Sequence, residues 1–473
     1  MSVDRDHRAW NELAWARLRS GEPDLALEYA RRAHELSRRN VDYLNTLGIA
    51  YAETGELEHA QASFSKALKL KPDCVDALVN LGKVLEKAET LPAALKAYER
   101  AYALAPSFPR LPVTLARVYR ECGLANQARS VLETSRKSIE PQDLVIALAS
   151  CDFELEGEGA AIERLRTAVM EHPDWVLARA ALGHLLLSTA HWREGWQRYR
   201  GSVSAPLSDD LSGTRVLLRG EQGIGDVLFF LRFAPALRKR GAIIVLGCEK
   251  KLHSILSRGS MLDQIREDTG EGLSIGELPL LLGSEDTPPA WPLAVPARAS
   301  LERFGPGPYL GVTWRAGTDL FRRREIGQDP SALTKAIAPA LIGSTLRGWP
   351  GTVFVLQRGA RASDAAEFGA AFQGRFHDLS DLGNDLPALL AVLAALDDYV
   401  SVSNANVHFL AGLGKTARVL VPYPGEWRWM RRPGPSPWFP GFAVYRQAQS
   451  REWAPALEQL RADLFSQRGR ESC

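Results

Sequence analysis

LGIAYAETGELEHAQASFSKALKLKP, residues 47–72, is answered 34 positions later by LGKVLEKAETLPAALKAYERAYALAP, residues 81–106. Leu47, Gly48, Tyr51, Ala60, Phe64, Ala67 and Pro72 return as Leu81, Gly82, Leu85, Ala94, Tyr98, Ala101 and Pro106. An earlier copy carries Leu13, Ala14, Ala26, Ala30 and Ala33, and a later one Leu115, Ala116, Tyr119 and Ala128. After a slip of one residue the pattern resumes with Leu148, Ala161, Leu165, Ala168 and Pro173, then Leu182, Gly183, Leu186 and Tyr199, making six copies. Each copy reads as two short amphipathic helices whose small residues let them cross closely. No copy could bury its apolar face alone, so the copies must stack.

In period, small residues and closing proline this segment resembles the tetratricopeptide repeat. The resemblance implies an α-solenoid over residues 1–200 with a groove suited to extended peptides. Docking of a protein partner is the expected role, and a dimerisation or spacing device is the alternative.

The remaining length allows further domains. With 473 residues, 45% hydrophobic and 24% charged, the composition is that of an ordinary globular protein. A net charge of +2 argues against a protein that mainly coats nucleic acid. The five cysteines, Cys74, Cys122, Cys151, Cys248 and Cys473, are far apart and form no C-x-x-C, which disfavours a disulfide framework or a zinc site. MSVDRDHRAW at the start lacks a signal-like apolar run, and LPALLAVLAAL at Leu386–Leu396 is too short to span a bilayer. A cytoplasmic protein is expected.

Gly201–Ser212 reads as a linker, and beyond it β-branched runs flanked by glycine replace the alanine-rich pattern. TRVLLR, AIIVL, YLGVTW, TVFVLQ, DYVSV and ARVLV are candidate buried strands separated by helical stretches, which predicts α/β with parallel strands. A Pro/Gly-rich interval, Thr287–Pro308, divides a first lobe, 213–300, from a second, 308–446, leaving a C-terminal helix and tail at 447–473. The turn after the first strand, in LLRGEQGIGDVLFFLRFAPAL (217–237), has Gly223 and Gly225 but Leu228 where a dinucleotide fingerprint needs its third glycine. No Gly-Lys-Ser/Thr closes it, so it is not a P-loop. GLGKTARVL is a decoy, because Lys415 and Thr416 precede a strand instead of opening a helix.

The run W-x-x-G-W-x-x-Y, then GEQGIGDVLFFLRFAPAL, LGVTWRAG, FVLQRG, VHFLAGLGKTARVLVP and WRWM, resembles bacterial tetratricopeptide-repeat glycosyltransferases. These are two-lobed GT-B enzymes similar to heptosyltransferases and, distantly, to O-GlcNAc transferases. The resemblance implies a first lobe on the acceptor side and a second on the nucleotide-sugar side. It implies that Asp226, the aspartate of G-D-V, is the base, with Gln222, Gly223 and Gly225 forming the acceptor-side loop. For the donor it implies the helix start around Ser403, Asn404, Asn406, Val407 and His408, with Gln357 near the nucleotide. The family usually has Asp-Thr or Asp-Ser where Ser403 and Asn404 stand here. In WRAGTDLFRRRE, Arg315 and one of Arg322, Arg323 and Arg324 are candidates to neutralise the leaving diphosphate in place of a metal.

Each residue has a plainer role beside this one. Asp226 suits the first turn of a helix, Gln357 a neighbouring loop backbone, any single arginine of the run a solvated loop, and Trp427 and Trp429 a brace for the C-terminal segment. The repeat histidines, His184 among them, read as ordinary helix residues. The D-x-D at Asp4–Asp6 lies far from any cleft, so no metal and no cofactor is expected.

Together these residues predict an inverting, metal-independent transferase. It would move a sugar from a nucleotide donor, with UDP, GDP, ADP and CMP unresolved, to Ser/Thr of a protein held in the repeat groove. One alternative is a scaffold that has lost catalysis and binds a nucleotide sugar or protein partners, and another is a transferase acting on a glycan or lipopolysaccharide. Neither nucleic acid nor a membrane span is expected, and a homo-oligomer is left open.

Overall fold

Small residues at the repeat positions let large ones pack into them. The computed structural model describes residues 6–88, 90–199, 206–259, 261–267, 270, 272–295, 297–316, 335–359, 362–423, 425–450 and 452–466. The chain divides into two compact units, Met1–Ala178 and Arg179–Cys473.

The first unit is a helical array with the pairs His7–Arg19 and Pro23–Leu36, Val41–Thr54 and Leu57–Leu70, Val75–Lys87 and Leu91–Leu104, Leu111–Glu121 and Ala125–Thr134, and Pro141–Leu155 and Glu158–Glu171. Asp6 and Asn40 cap two of these helices by accepting from the second and third N–H groups beyond them. A Cβ built on Gly48 would lie 2.6 Å from the Phe64 ring, and one on Gly82 the same distance from Tyr98. Glycine and aromatic ring are thus one packing device used twice. One polar network inside the array is paired: Tyr98 Oη donates to Glu86 at 2.6 Å, and Arg117 bridges Glu86 and Glu121.

In the second unit two all-parallel sheets form where β-branched runs predict them. The first contains β1 (Arg215–Gly220), β2 (Ile243–Cys248), β3 (Gln264–Arg266) and β4 (Leu273–Ser274), in the order β3-β2-β1-β4. The second contains β5 (Tyr309–Val312), β6 (Thr352–Val355), β7 (Phe376–Asp378), β8 (Asp398–Val402), β9 (Arg418–Val421) and β10 (Ala443–Arg446), in the order β10-β9-β8-β5-β6-β7. Read from β7, that is the doubly wound order, with chain direction along the sheet reversing between β5 and β8. All six expected strands are present. The four that sequence reading missed, β3, β4, β7 and β10, are sheet edges or three residues or fewer. A helix, Ala454–Ser466, lies in the expected C-terminal segment.

The boundary between units falls inside the last helical pair, Val176–Ser188 and Trp192–Tyr199, and not at residues 201–212. The cause is aromatic. Trp196 is 3% exposed in a core with Phe229, Phe230, Phe233, Trp427 and Trp438, its ring 5.3 Å from and perpendicular to Trp427. Gly183 lets the two helices cross, since a Cβ there would stand 2.7 Å from the Tyr199 nitrogen. The sixth copy therefore keeps the repeat's sequence but packs as part of the α/β unit.

Two outcomes follow from this packing. Gly48→Ala should lower the unfolding free energy of the repeat unit by about 1–3 kcal/mol in urea titration, and Phe64→Leu should recover part of the loss. Trp196→Ala should cost about 3–5 kcal/mol, read in the transition of the α/β unit and not in that of the repeats.

Candidate functional site

Ligands of open parallel sheets sit beyond the carboxyl ends of the strands, at the point where strand order reverses. In the second sheet that point lies after β5 and β8, where Thr313–Arg315 and Ser403–Asn404 stand. In the first sheet the turn after β1 carries Gln222, Gly223 and Asp226. The helices that follow these two turns, Ile224–Leu231 and Ala405–Gly412, meet: a Cβ on Gly225 would lie 3.0 Å from His408 Cδ2 and 3.4 Å from its Nε2. Gly225 is thus small so that it can accommodate the His408 ring, which replaces the sequence reading of a glycine opened toward substrate. Gly223 faces open space, with only Asp226 Oδ2 within reach of a Cβ, at 3.9 Å.

Asp226 lies in the first turn of its helix, 41% exposed at the side chain, and its Oδ1 accepts from Arg428 Nη2 at 2.5 Å. Arg428 is buried, stacked 4.7 Å from the Trp427 ring centroid and 4.6 Å from that of Phe229. Burial would lower its pKa, but Asp226 and Glu426 raise it, so it remains a cation. Its Nη1 is 3.8 Å from Glu426 Oε2, to which Lys335 Nζ also donates. Glu426 Oε1 accepts from Ser403 Oγ and from Trp429 Nε1. Burial alone would raise the Glu426 carboxyl; Lys335, and after it Arg428, hold it down at about 2. Arg232 adds a further buried cation, its guanidinium 4.2 Å from the Phe229 centroid and bonded to the carbonyls of Phe229, Pro288 and Trp438. Burial, with Arg428 adding, lowers it to about 9. Burial, with Arg428 and Arg232 adding, also holds His408 well below the ordinary imidazole range, so its ring is neutral. Asp226 and Glu426 are thus met by Arg428 and Lys335, with Arg232 a further buried cation against Phe229.

Other expected donor residues are committed to the protein. Gln357 Oε1 accepts from the N–H groups of Trp314 and Arg315 at 3.0 and 2.9 Å, and its Nε2 donates to the carbonyls of Arg315 and Arg358. It holds a loop, the plainer of its two roles. Asn404 caps its helix by accepting from Asn406 N at 2.9 Å and donates to Thr313 Oγ1 at 2.8 Å. Asn406 Nδ2 donates to Tyr399 Oη at 2.6 Å, and Val407 is fully buried in the core. Arg315 is partly exposed, donating to the Gly359 carbonyl at 2.5 Å and standing 3.7 Å from Asp364. Gln222 has a buried Nε2 with no hydrogen-bond partner among the described residues. Arg322, Arg323 and Arg324 lie outside the described residues. Beside Arg315, a cavity of about 250 Å³ opens at the ends of β6 and β7, lined by Arg358, Gly359, Ser380, Asp381, Gly383 and Asn384. Among the described residues no group of three His, Cys, Asp or Glu is placed to hold a metal ion, and no helix is long and apolar enough to cross a membrane.

A family model described as tetratricopeptide repeat matches residues 45–109. The first unit is built of tetratricopeptide repeats. Protein FlbA of Caulobacter vibrioides is 25% identical, across 98% of this chain and 85% of its own length, a span that takes in the α/β unit as well as the repeats. The chloroplastic tetratricopeptide repeat domain-containing protein PYG7 of Arabidopsis thaliana is 40% identical over 63 residues, 13% of this chain and 21% of that protein. Among solved structures, YrrB, described as a TPR protein with an unusual peptide-binding site, is 23% identical over 38% of this chain and 93% of its own, with a TM-score of 0.32. A tetratricopeptide repeat protein from Parabacteroides merdae is 15% identical over 42% of this chain and 77% of its own, with a TM-score of 0.36.

Sequence reasoning placed Asp226, Ser403 and His408 together and missed Arg428, Glu426 and Lys335. GEWRWM drew attention for its tryptophans, while a charged pair two residues apart inside an aromatic run was the overlooked signal. A carboxylate depressed in the folded state stabilises above its unfolded pKa, here 4.5, and loses that contribution as pH falls toward about 2. Glu426→Gln should therefore flatten the fall in stability of the α/β unit between pH 4.5 and 2, in urea titrations run in parallel with wild type.

Proposed function

We propose that this chain is a glycosyltransferase that moves a sugar from a nucleotide-sugar donor to a serine or threonine hydroxyl of a protein recruited by its repeats. The observation that carries this reading is the meeting of Asp226, from the turn after β1, with the Ser403–Glu426 pair at the helix start after β8, joined through Arg428. On this reading the two strand-end turns serve one ligand site, an acceptor on one side and a diphosphate on the other. Repeat arrays of this kind present extended concave surfaces to protein partners.

In this reaction Asp226 takes the proton as the acceptor oxygen forms its bond to the anomeric carbon. The bond from that carbon to the diphosphate oxygen breaks on the opposite side, so configuration inverts. The leaving diphosphate carries its charge into a site where Lys335 and Arg428 supply the positive charge. Arg315, at the end of β5, is the further cation this reading assigns to the same ligand.

A second reading, a nucleotide-sugar-binding scaffold without turnover, is favoured by the Asp226–Arg428 pair itself, because an oxygen held by a guanidinium is a poor proton acceptor. The two separate in one experiment, in which a panel of nucleotide sugars is scored by thermal shift and by release of diphosphate. Shift with slow release supports the transferase, whereas shift without release even when acceptor protein is added supports the scaffold. With the active donor, Asp226→Asn should lower turnover by about 10²–10⁴-fold and leave the donor dissociation constant within about twofold. Unchanged turnover would remove Asp226 as the base.

A further inference from the structure

Four charged groups form a continuous line: Asp226, Arg428, Glu426 and Lys335. The guanidinium of Arg428 is shared unequally, 2.5 Å from Asp226 and 3.8 Å from Glu426. Lys335 explains the inequality, since it already neutralises the Glu426 oxygen nearest to Arg428. Arg428 and Glu426 are 9% and 14% exposed at the side chain, and Lys335, at 19%, is the member of these three most open to solvent. Its ammonium sits on a flexible four-carbon stem, whereas the Arg428 guanidinium is stacked and pivots only about its own end. The second oxygen of Asp226, Oδ2, stands 3.9 Å from where a Cβ on Gly223 would lie.

We propose that this line is a relay that frees Asp226 only when a phosphorylated ligand occupies the cleft. Anionic ligand oxygens draw Lys335 away from Glu426. The buried Glu426 carboxylate, which Lys335 and Arg428 keep charged against its burial, cannot stay uncompensated and takes Arg428. Asp226 then loses its guanidinium and presents both oxygens to the cleft. This inference rests on the reading of the cleft as a nucleotide-sugar site and adds an order to it: diphosphate first, base second. A transferase built this way keeps its base masked until the donor is in place.

The test is carboxylate footprinting of the full chain with an alkylating oxonium reagent, using inorganic pyrophosphate as the ligand probe. Labelling at Asp226 is read by peptide mass spectrometry and normalised to the exposed Glu458 in the same sample. The relay requires pyrophosphate to raise Asp226 labelling severalfold, whereas a ligand that merely fills the cleft would lower it. Lys335→Met should show the raised labelling without pyrophosphate, since Glu426 then has no other cation. Glu426→Gln should remove the response, and if that variant fails to fold, Lys335→Met carries the test alone. Labelling that falls or stays level in wild type, or that stays low in Lys335→Met, overturns the relay. Loss of the labelling response with nucleotide-sugar turnover intact would sink the relay alone, and the response without turnover would sink the transferase reading alone.

Discussion

A guanidinium buried among aromatic rings costs several kcal/mol unless carboxylates meet it, and Arg428 organises the second unit around that requirement. Its counter-charges come from opposite sides, Asp226 on the helix after β1 and Glu426 two residues away. Its stacking surfaces, Trp427, Phe229 and Phe230, belong to the same core that takes in Trp196. The arginine therefore ties both sheets and the last helical pair to one point. Arg446 supports the segment from behind, donating to the carbonyls of Met430 and Trp429.

The helical array follows a different logic. Each interface repeats the same exchange of a missing side chain for an aromatic ring, so stability is distributed along it instead of focused. A damaged pair weakens its neighbours, while loss of Arg428 would leave Asp226 without its guanidinium and Glu426 with Lys335 as its one ion-pair partner among the described residues. The last helical pair stands where these logics meet. Its sequence keeps the repeat's Gly183 and Leu186, yet Leu187 and Trp196 contribute to the α/β core.

Much of this architecture was legible in the chain. Period, small residues and prolines identified the repeats, and β-branched runs flanked by glycine located β1, β2, β5, β6, β8 and β9 because central parallel strands are buried on both faces. The edge strands escaped because stretches of two to four residues carry little periodicity. Asp226 and His408 were singled out by the resemblance to the glycosyltransferase motifs and not by local pattern alone. That Gln357 and Asn406 would turn inward was not visible, because a side-chain amide serves ligand and backbone with equal chemistry, and only the position of its neighbours decides between them.

By itself the sequence determined the local elements: which stretches coil, which extend, where glycine permits close approach and where charge is available. Those follow from propensities and periodicities that act over a few residues. Only the tertiary structure decided that residue 226 would meet residue 428, that residue 335 would meet residue 426, and that the sixth repeat copy would join the α/β unit. Ion pairs and aromatic contacts depend on distances of a few ångströms between groups some 200 residues apart in the chain, and no local pattern encodes them.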